Sequence, residues 1–160
     1  MIAIRRFAEE DQKAVKDLVV KIMNQEFRED MAAYPTDDLD DVSKTYGGIS
    51  EAFFVAVDGD RVVGTVAIKK EDDRVALLRR LFVDTPYRNQ RIGMRLIDRA
   101  LQFCSEVGYG EVVFRTTSRM EGAIQLCRKC GFSPRAKLQL GSFELLKFSL
   151  SIAAWAKKNA

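Results

Sequence analysis

At 160 residues and 47% hydrophobic content, the chain can bury one good core but is short for two, which predicts a single domain over residues 1–160. Basic (26) and acidic (23) residues are mixed along it, and the net charge of +3 is too small to indicate a nucleic-acid-binding surface. The longest apolar run, residues 52–57, is far shorter than the roughly 20 residues that cross a bilayer, and residues 1–12 turn charged too soon for a secretory signal, so we expect a cytoplasmic protein with no membrane partner.

The three cysteines are expected to be free thiols, because they are odd in number and no secretory signal precedes them. Cys127 and Cys130 have the C-x-x-C spacing of some zinc sites. The chain has no histidine and only one further cysteine, Cys104, so a four-ligand site cannot be assembled and we predict no metal. Cys104 and Cys130 are expected to serve packing.

The first segments predict a strand followed by two helices. Residues 2–7 alternate apolar and polar side chains, as a strand does. The acidic residues 9–11 favour the start of a helix, whose apolar stripe consists of Val15, Leu18, Val19, Ile22 and Met23. A second, weaker helix is predicted over residues 37–46, after a proline.

A hairpin and a third strand follow. The β-rich runs "AFFVAV" and "VVGTVAIK" flank an Asp-Gly turn at residues 58 and 59. A polar turn then leads into residues 74–84. Three consecutive antiparallel strands are therefore predicted.

A crossover connection comes next. Apolar side chains keep helical spacing from Ile92 onward, and Gly108 stands where a helix C-cap is expected. Residues 111–117 have the composition of a strand. Because strand, helix and strand follow one another at this spacing, residues 75–83 and 111–117 are predicted to lie parallel in one sheet.

The remaining segments predict a short helix, two strands and a tail. Ser118 and Glu121 have the spacing of a capping box that would open a helix through Lys129, closed by Gly131. Two strands are predicted around the Gly-Ser pair at residues 141 and 142. Residues 151–160 are interpreted as a frayed helix, a docked segment or a flexible tail.

The segment "TPYRNQRIGMRL", residues 85–96, places arginines and amides at the start of the helix after a strand. A helix N-terminus offers unpaired N–H groups and partial positive charge, which favours a phosphate ligand. Neither the P-loop nor the dinucleotide-binding pattern is present, so coenzyme A is a good candidate. The alternative is that Arg88, Arg91 and Arg95 form a solvated helix face.

With these motifs the chain resembles the GNAT acetyltransferase superfamily. Residues 88–93, "RNQRIG", match its [Q/R]-x-x-G-x-[G/A] pattern except that Arg91 stands at the first glycine, and "MEGAIQLCRKCGF", residues 120–132, is similar to its later helix. The resemblance implies an α/β fold: a mixed, mostly antiparallel sheet with a central parallel strand pair, flanked by helices. It also implies acetyl-CoA as co-substrate, bound by Leu81, Phe82, Val83, Arg88, Asn89, Gln90, Arg91, Ile92, Gly93 and Met94.

The catalytic positions of the superfamily differ in this chain. The glutamate and the tyrosine that members of the superfamily often use correspond to Leu77 and Cys127 here. Catalysis is therefore expected to depend on substrate positioning and on backbone donors at Leu81 and Phe82. Cys127 is a candidate general acid, because a thiol pKa of about 8.5 is close to that of the leaving thiolate. A buried packing role for Cys127 is the alternative.

Two features of the sequence bear on which acceptor substrate binds. Acidic residues concentrate in residues 26–41, and Glu26, Glu29 and Asp30 are candidates for a base or for binding a cationic amine. The alternative is that the aspartates of residues 37–41 simply favour a helix N-terminus and water. On the strand, Arg79 is predicted to share the face of Leu77, with Arg80 opposite, and could bind a substrate carboxylate or pair with a surface carboxylate instead.

These predictions converge on an acetyltransferase. Its expected acceptor is a primary amine of a small molecule or amino acid. A non-catalytic acyl-CoA binder or sensor of the same fold is the alternative, and a homodimer through the C-terminal strands is an expected assembly.

Overall fold

The computed structural model describes residues 1–31 and 35–159, with only the backbone of Phe143. The strands are β1 (Ile2–Arg6), β2 (Ala52–Asp58), β3 (Arg61–Lys70), β4 (Val75–Val83), β5 (Glu111–Thr117), β6 (Ser133–Leu140) and β7 (Phe143–Ser151). The α-helices are α1 (Gln12–Glu26), α2 (Val42–Thr45), α3 (Ile92–Val107), α4 (Glu121–Lys129) and α5 (Ile152–Lys158). Short 3-10 turns span Glu9–Asp11, Arg28–Asp30, Asp37–Asp40 and Thr85–Tyr87.

The strands form one seven-stranded sheet in the order β1-β2-β3-β4-β5-β7-β6. β4 and β5 are parallel because α3 carries the chain back between them, whereas all the other neighbours are antiparallel. This confirms the predicted α/β fold with one central parallel pair.

Apolar side chains cover both faces of the sheet. Alternate residues of β2 show this, because Phe54 packs in the cluster on the side of α3 and Val55 packs in the cluster on the side of α1. The predicted stripe of α1 is buried in the second cluster.

A β-bulge interrupts β4. Thr65 of β3 lies opposite Phe82 and Ala67 lies opposite Arg79, so Arg80 and Leu81 together oppose a single residue. Arg80 has a left-handed φ of 55°. The prediction that Arg79 and Arg80 point to opposite faces was wrong, because the extra residue resets the alternation and both side chains reach the Asp38–Tyr46 pair.

Two local predictions are also corrected. The helix predicted over residues 37–46 is divided into the 3-10 turn Asp37–Asp40 and the short α2. The capping box does not form: Met120 is the N-cap of α4, and the Ser118 hydroxyl instead accepts from the Glu144 backbone N–H at 3.3 Å. β5 runs through Thr117, and its pairing with β7 therefore takes precedence over a helix cap.

The C-terminal segment is a docked helix. α5 packs against α3 and β7, Ile152 is buried, and Trp155 packs against the core. The Ser151 side chain caps α5 by accepting from the Ala154 N–H at 3.2 Å. Of the alternatives predicted for residues 151–160, the structure shows a docked helix, which apolar contacts hold against the core.

Candidate active site

A groove opens where β4 and β5 separate. Their parallel ladder ends at Leu78 opposite Phe114, so the edge of β4 beyond Leu78 has no strand partner on that side. The bulge at Arg80 adds local twist at the same point. A cavity of about 910 Å³ follows, lined mainly by residues 77–83, 87–89, 91–94, 113–116, 119–123, 125, 126 and 129.

One end of the groove is the start of α3. Asn89 and Arg91 both have a left-handed φ of 64°, and Arg91 is the N-cap of α3 without a side-chain hydrogen bond to the first turn. Ile92, Gly93 and Met94 line the cavity. The uncapped first turn therefore presents N–H donors and positive dipole charge to the groove, as an anion site requires.

Arg91 adopts the backbone conformation that glycine favours. A left-handed φ costs a side-chain-bearing residue roughly 1 kcal/mol, which explains physically why glycine suits this position. The Arg91 side chain is exposed, and in the part of the chain that the structure describes no carboxylate lies within ion-pair distance of it. Its charge is available to a ligand.

Arg88 is held by protein groups. Its two terminal nitrogens donate to the two carboxylate oxygens of Glu26 at 2.6 and 2.7 Å, and its Nε donates to the Val83 carbonyl at 2.9 Å. The pair links the end of α1 to the end of β4 at the edge of the groove. Gln90 is the one predicted cofactor-binding residue that does not line the cavity; its amide nitrogen donates to the Pro86 carbonyl at 3.4 Å.

Gly93 permits close packing of two helices. A Cβ at this position would lie 2.5 Å from Leu126 Cδ2, and Leu126 itself lines the groove. A larger residue would push Leu126 toward the cavity. Glycine therefore favours close α3–α4 packing here, a reason additional to the predicted close approach to phosphate.

Most of the acidic candidates are engaged with internal partners. Glu26 lines the groove but binds Arg88. Glu29 does not line the groove and pairs with Arg119, which does. Asp30 is fully buried, accepts from the Thr117 hydroxyl at 3.1 Å and does not line the groove. The structure therefore brings only one of the three to the cavity.

A charged cluster lies beside the bulge. Arg80 is buried and donates to both carboxylate oxygens of Asp38 and to the Pro35 carbonyl. The Tyr46 hydroxyl donates to Asp38 at 2.6 Å, and the Arg79 guanidinium lies 5.9 Å from the Tyr46 ring centroid. Burial acts to raise the pKa of Asp38, but the hydrogen bonds from Arg80 and Tyr46 outweigh it and lower that pKa.

The sequence profile of the acetyltransferase (GNAT) family matches residues 18–132. The chain belongs to this family. It is 32% identical to N-acetyltransferase 8F1 of Rattus norvegicus over 127 residues, which cover 76% of the chain and 58% of that relative. The chain thus spans somewhat more than half the length of this curated relative.

Solved structures described as acetyltransferases share the fold. An acetyltransferase from Streptococcus agalactiae superposes with a TM-score of 0.82 at 19% identity, covering 94% of this chain and 98% of that one. The yncA protein of Salmonella typhimurium, solved with its cofactor acetyl-CoA, superposes with a TM-score of 0.73 at 14% identity, covering 94% of each chain. At sequence identities this low, the similarity to these structures shows the fold alone.

Cys127 lies apart from the groove of this GNAT chain. Its side chain is fully buried in the core and is not among the residues that line the cavity. Burial, aided by the nearby Cys130, raises its pKa, so the thiol holds its proton. Burial likewise raises the pKa of Cys104 to about 12 and that of Cys130 to about 11. This placement favours packing for Cys127 and gives no support to its acid role.

Sequence reasoning missed Thr116. This residue of β5 is fully buried and lines the groove, and its hydroxyl has no hydrogen-bond partner among the described residues. Buried hydroxyl groups without partners are uncommon, and one facing a cavity can bind a ligand. The signal was present in the alternation of β5, which places Thr116 on the same face as Val112 and Phe114.

The described residues contain no cluster of three or more potential metal-binding side chains. Within the same part of the chain, no helix is long and apolar enough to cross a bilayer.

Proposed function

We propose that this chain transfers an acetyl group from acetyl-CoA to a primary amine of a small molecule or amino acid. The observation that carries the proposal is the groove that begins where the β4–β5 ladder stops and ends at the uncapped start of α3. Family membership supports acetyl transfer, and the yncA neighbour supports acetyl-CoA as co-substrate.

Successive parts of the groove match successive parts of acetyl-CoA, from the pyrophosphate to the pantetheine arm. The pyrophosphate would be held by the first turn of α3, with the exposed cations Arg91 and Lys129 beside it. The pantetheine arm would lie along the unpaired edge of β4 at Leu81–Val83. Thr116 offers the hydroxyl that a buried amide of the arm requires.

The reaction would proceed through positioning and backbone donors. The amine nitrogen forms a bond to the thioester carbonyl carbon, the carbon–sulfur bond breaks, and the proton lost by the amine passes to water while the thiolate leaves. Backbone N–H groups near Leu81 and Phe82 would stabilise the transient oxyanion, an effect commonly worth about 3 kcal/mol. No general acid is assigned to Cys127, because the thiol lies in the core.

The first experiment is calorimetric titration with acetyl-CoA, followed by thiol release in the presence of an amine panel. We expect one-to-one binding, turnover of at least one amine, and an affinity loss of about fivefold in Thr116→Val but not in Thr116→Ser. Absence of acetyl-CoA binding by the folded protein would overturn the proposal.

A non-catalytic acyl-CoA binder is the second candidate. It is favoured by Leu77 and by the burial of Cys127, since neither position supplies an acid or base. Acetyl-CoA binding without thiol release in the presence of any amine would favour it.

The cytoplasmic location and the homodimer stay predictions.

A further inference from the structure

We infer that the acceptor carries a carboxylate close to its reactive amine, and that Arg79 binds this carboxylate. The inference rests on the proposed function and names the class of its acceptor: α-amino acids or their close analogues.

Arg79 lies at the point where an acceptor would meet the thioester. It is the first residue of β4 beyond the ladder with β5, it lines the groove, and it is half-buried. It precedes Leu81 by two residues across the bulge at Arg80, so the two residues lie close together on β4. The amine must approach the carbonyl carbon near Leu81 to about 3 to 3.5 Å, so a carboxylate on Arg79 would be only a few bonds from that amine.

Among the described charged side chains around Arg79, each carboxylate is already paired with another cation, and Arg79 has no carboxylate partner. Asp38 accepts a two-pronged ion pair from the buried Arg80 and a further hydrogen bond from Tyr46. On the neighbouring strand, Lys69 pairs with Glu51 at 3.1 Å. No carboxylate of the described residues lies within ion-pair distance of Arg79, so its guanidinium keeps a full charge and a planar set of donors suited to a carboxylate.

The groove as a whole disfavours an acceptor with additional positive charge. Among the described lining residues, Arg80, Arg88, Arg115 and Arg119 are paired with carboxylates, which leaves the cations Arg79, Arg91 and Lys129 against the carboxylate of Glu121. Glu26 is held by Arg88. Glu26 is thus not free to receive a cationic amine, and an anionic group is the complementary partner of the remaining cations.

The test compares amino acids with their amides. Purified protein and acetyl-CoA are assayed by thiol release with matched pairs: glycine and glycinamide, L-leucine and L-leucinamide, L-phenylalanine and L-phenylalaninamide. We expect at least one acid to exceed its amide in kcat/KM by about tenfold or more, the scale of a charge-assisted pair. An amide has the less basic amine and is favoured chemically, so a preference for the acid must come from the site.

Two variants assign the preference to Arg79. Arg79→Gln is expected to reduce the acid-to-amide ratio to near one, and Arg79→Lys to an intermediate ratio, because lysine keeps the charge but not the planar fork. Arg115→Gln is the matched control, since Arg115 lines the same groove but pairs with Glu71 at 3.2 Å, and it should keep the wild-type ratio. Thermal unfolding verifies that each variant is folded.

Equal turnover of acids and amides by the wild-type protein would overturn the inference and leave the proposed function intact. An unchanged ratio in Arg79→Gln would also overturn it. If no pair is turned over, the CoA-saturated protein is titrated with N-acetyl-L-leucine and with its amide; failure to bind the acid more tightly overturns the inference, while acetyl-CoA binding reports separately on the proposed function.

Discussion

Glu26 and Arg88, 62 residues apart in the chain, form a two-pronged ion pair at the edge of the groove, with N–O distances of 2.6 and 2.7 Å. The same arginine donates through Nε to the Val83 carbonyl. A residue that the family motif assigns to phosphate is therefore bound to a carboxylate of α1, and a phosphate-bearing ligand must share or displace this partner.

Replacing Glu26 by glutamine should tighten acetyl-CoA binding. The change removes a negative charge beside an anionic ligand and releases Arg88, so we expect the Kd to fall about threefold to tenfold, with a stability cost below about 1 kcal/mol for this partly exposed pair. Calorimetry at low and high salt measures the effect. Asp17→Asn is the control, since Asp17 lies on the same helix and pairs with Lys13, and neither residue lines the groove; equal tightening in both variants would contradict a specific role for Glu26.

Arg91→Gly and Arg91→Ala separate backbone strain from charge. Both remove the guanidinium and should weaken acetyl-CoA binding about threefold to tenfold. Only glycine relieves the left-handed φ of 64°, so Arg91→Gly should be more stable than Arg91→Ala by roughly 1 kcal/mol in urea unfolding. Wild-type affinity in both variants would show that the Arg91 side chain does not contact the ligand.

Cys127→Ala should keep the turnover number at saturating substrates, because the thiol lies in the core and not in the groove. Loss of its packing should lower the free energy of unfolding by about 1 kcal/mol. Kinetics together with urea unfolding measure both quantities. A more than tenfold fall in turnover by a folded variant would restore the acid role.

Asp38→Ala should destabilise the protein strongly. It leaves the buried Arg80 without its carboxylate, which typically costs about 3 to 5 kcal/mol, whereas Asp38→Asn keeps an acceptor oxygen and should cost less. Urea unfolding of the two variants at neutral pH compares them. A cost in Asp38→Ala no greater than in Asp38→Asn would contradict the role of the ion pair.

The same pair predicts a pH dependence. The pKa of Asp38 is lowered in the folded state, so its contribution to stability is present above the unfolded pKa of about 3.9 and is lost as the pH falls through the lower folded value. The free energy of unfolding should therefore decline below about pH 4, and less steeply in Asp38→Asn than in the wild type. Identical slopes would contradict the assignment.

Much of the fold follows from local sequence pattern. The stripe of α1, the Asp-Gly hairpin and the helix that ends at Gly108 were all predictable, because each depends on side-chain periodicity or on one turn residue. The end of the groove at the start of α3, where we propose that phosphate binds, was predictable as a location because the motif, the strand end and the helix start are contiguous. The hydrogen bond of Ser118 was not predictable, because whether its hydroxyl caps a helix or binds the Glu144 backbone depends on a partner 26 residues away.

The sequence by itself determined the order of the elements, the parallel strand pair and the position of the helix start that would receive phosphate, because these depend on side-chain periodicity and on how consecutive elements are connected. Only the tertiary structure decided what each charged or polar side chain at the groove is bound to. It placed Arg88 on Glu26, Arg80 on Asp38 and Cys127 in the core, and it left Arg79 and the Thr116 hydroxyl facing the cavity. The physical reason is that ion pairing and burial depend on which distant segments meet, and a single bulge at Arg80 is enough to change the face on which an arginine lies.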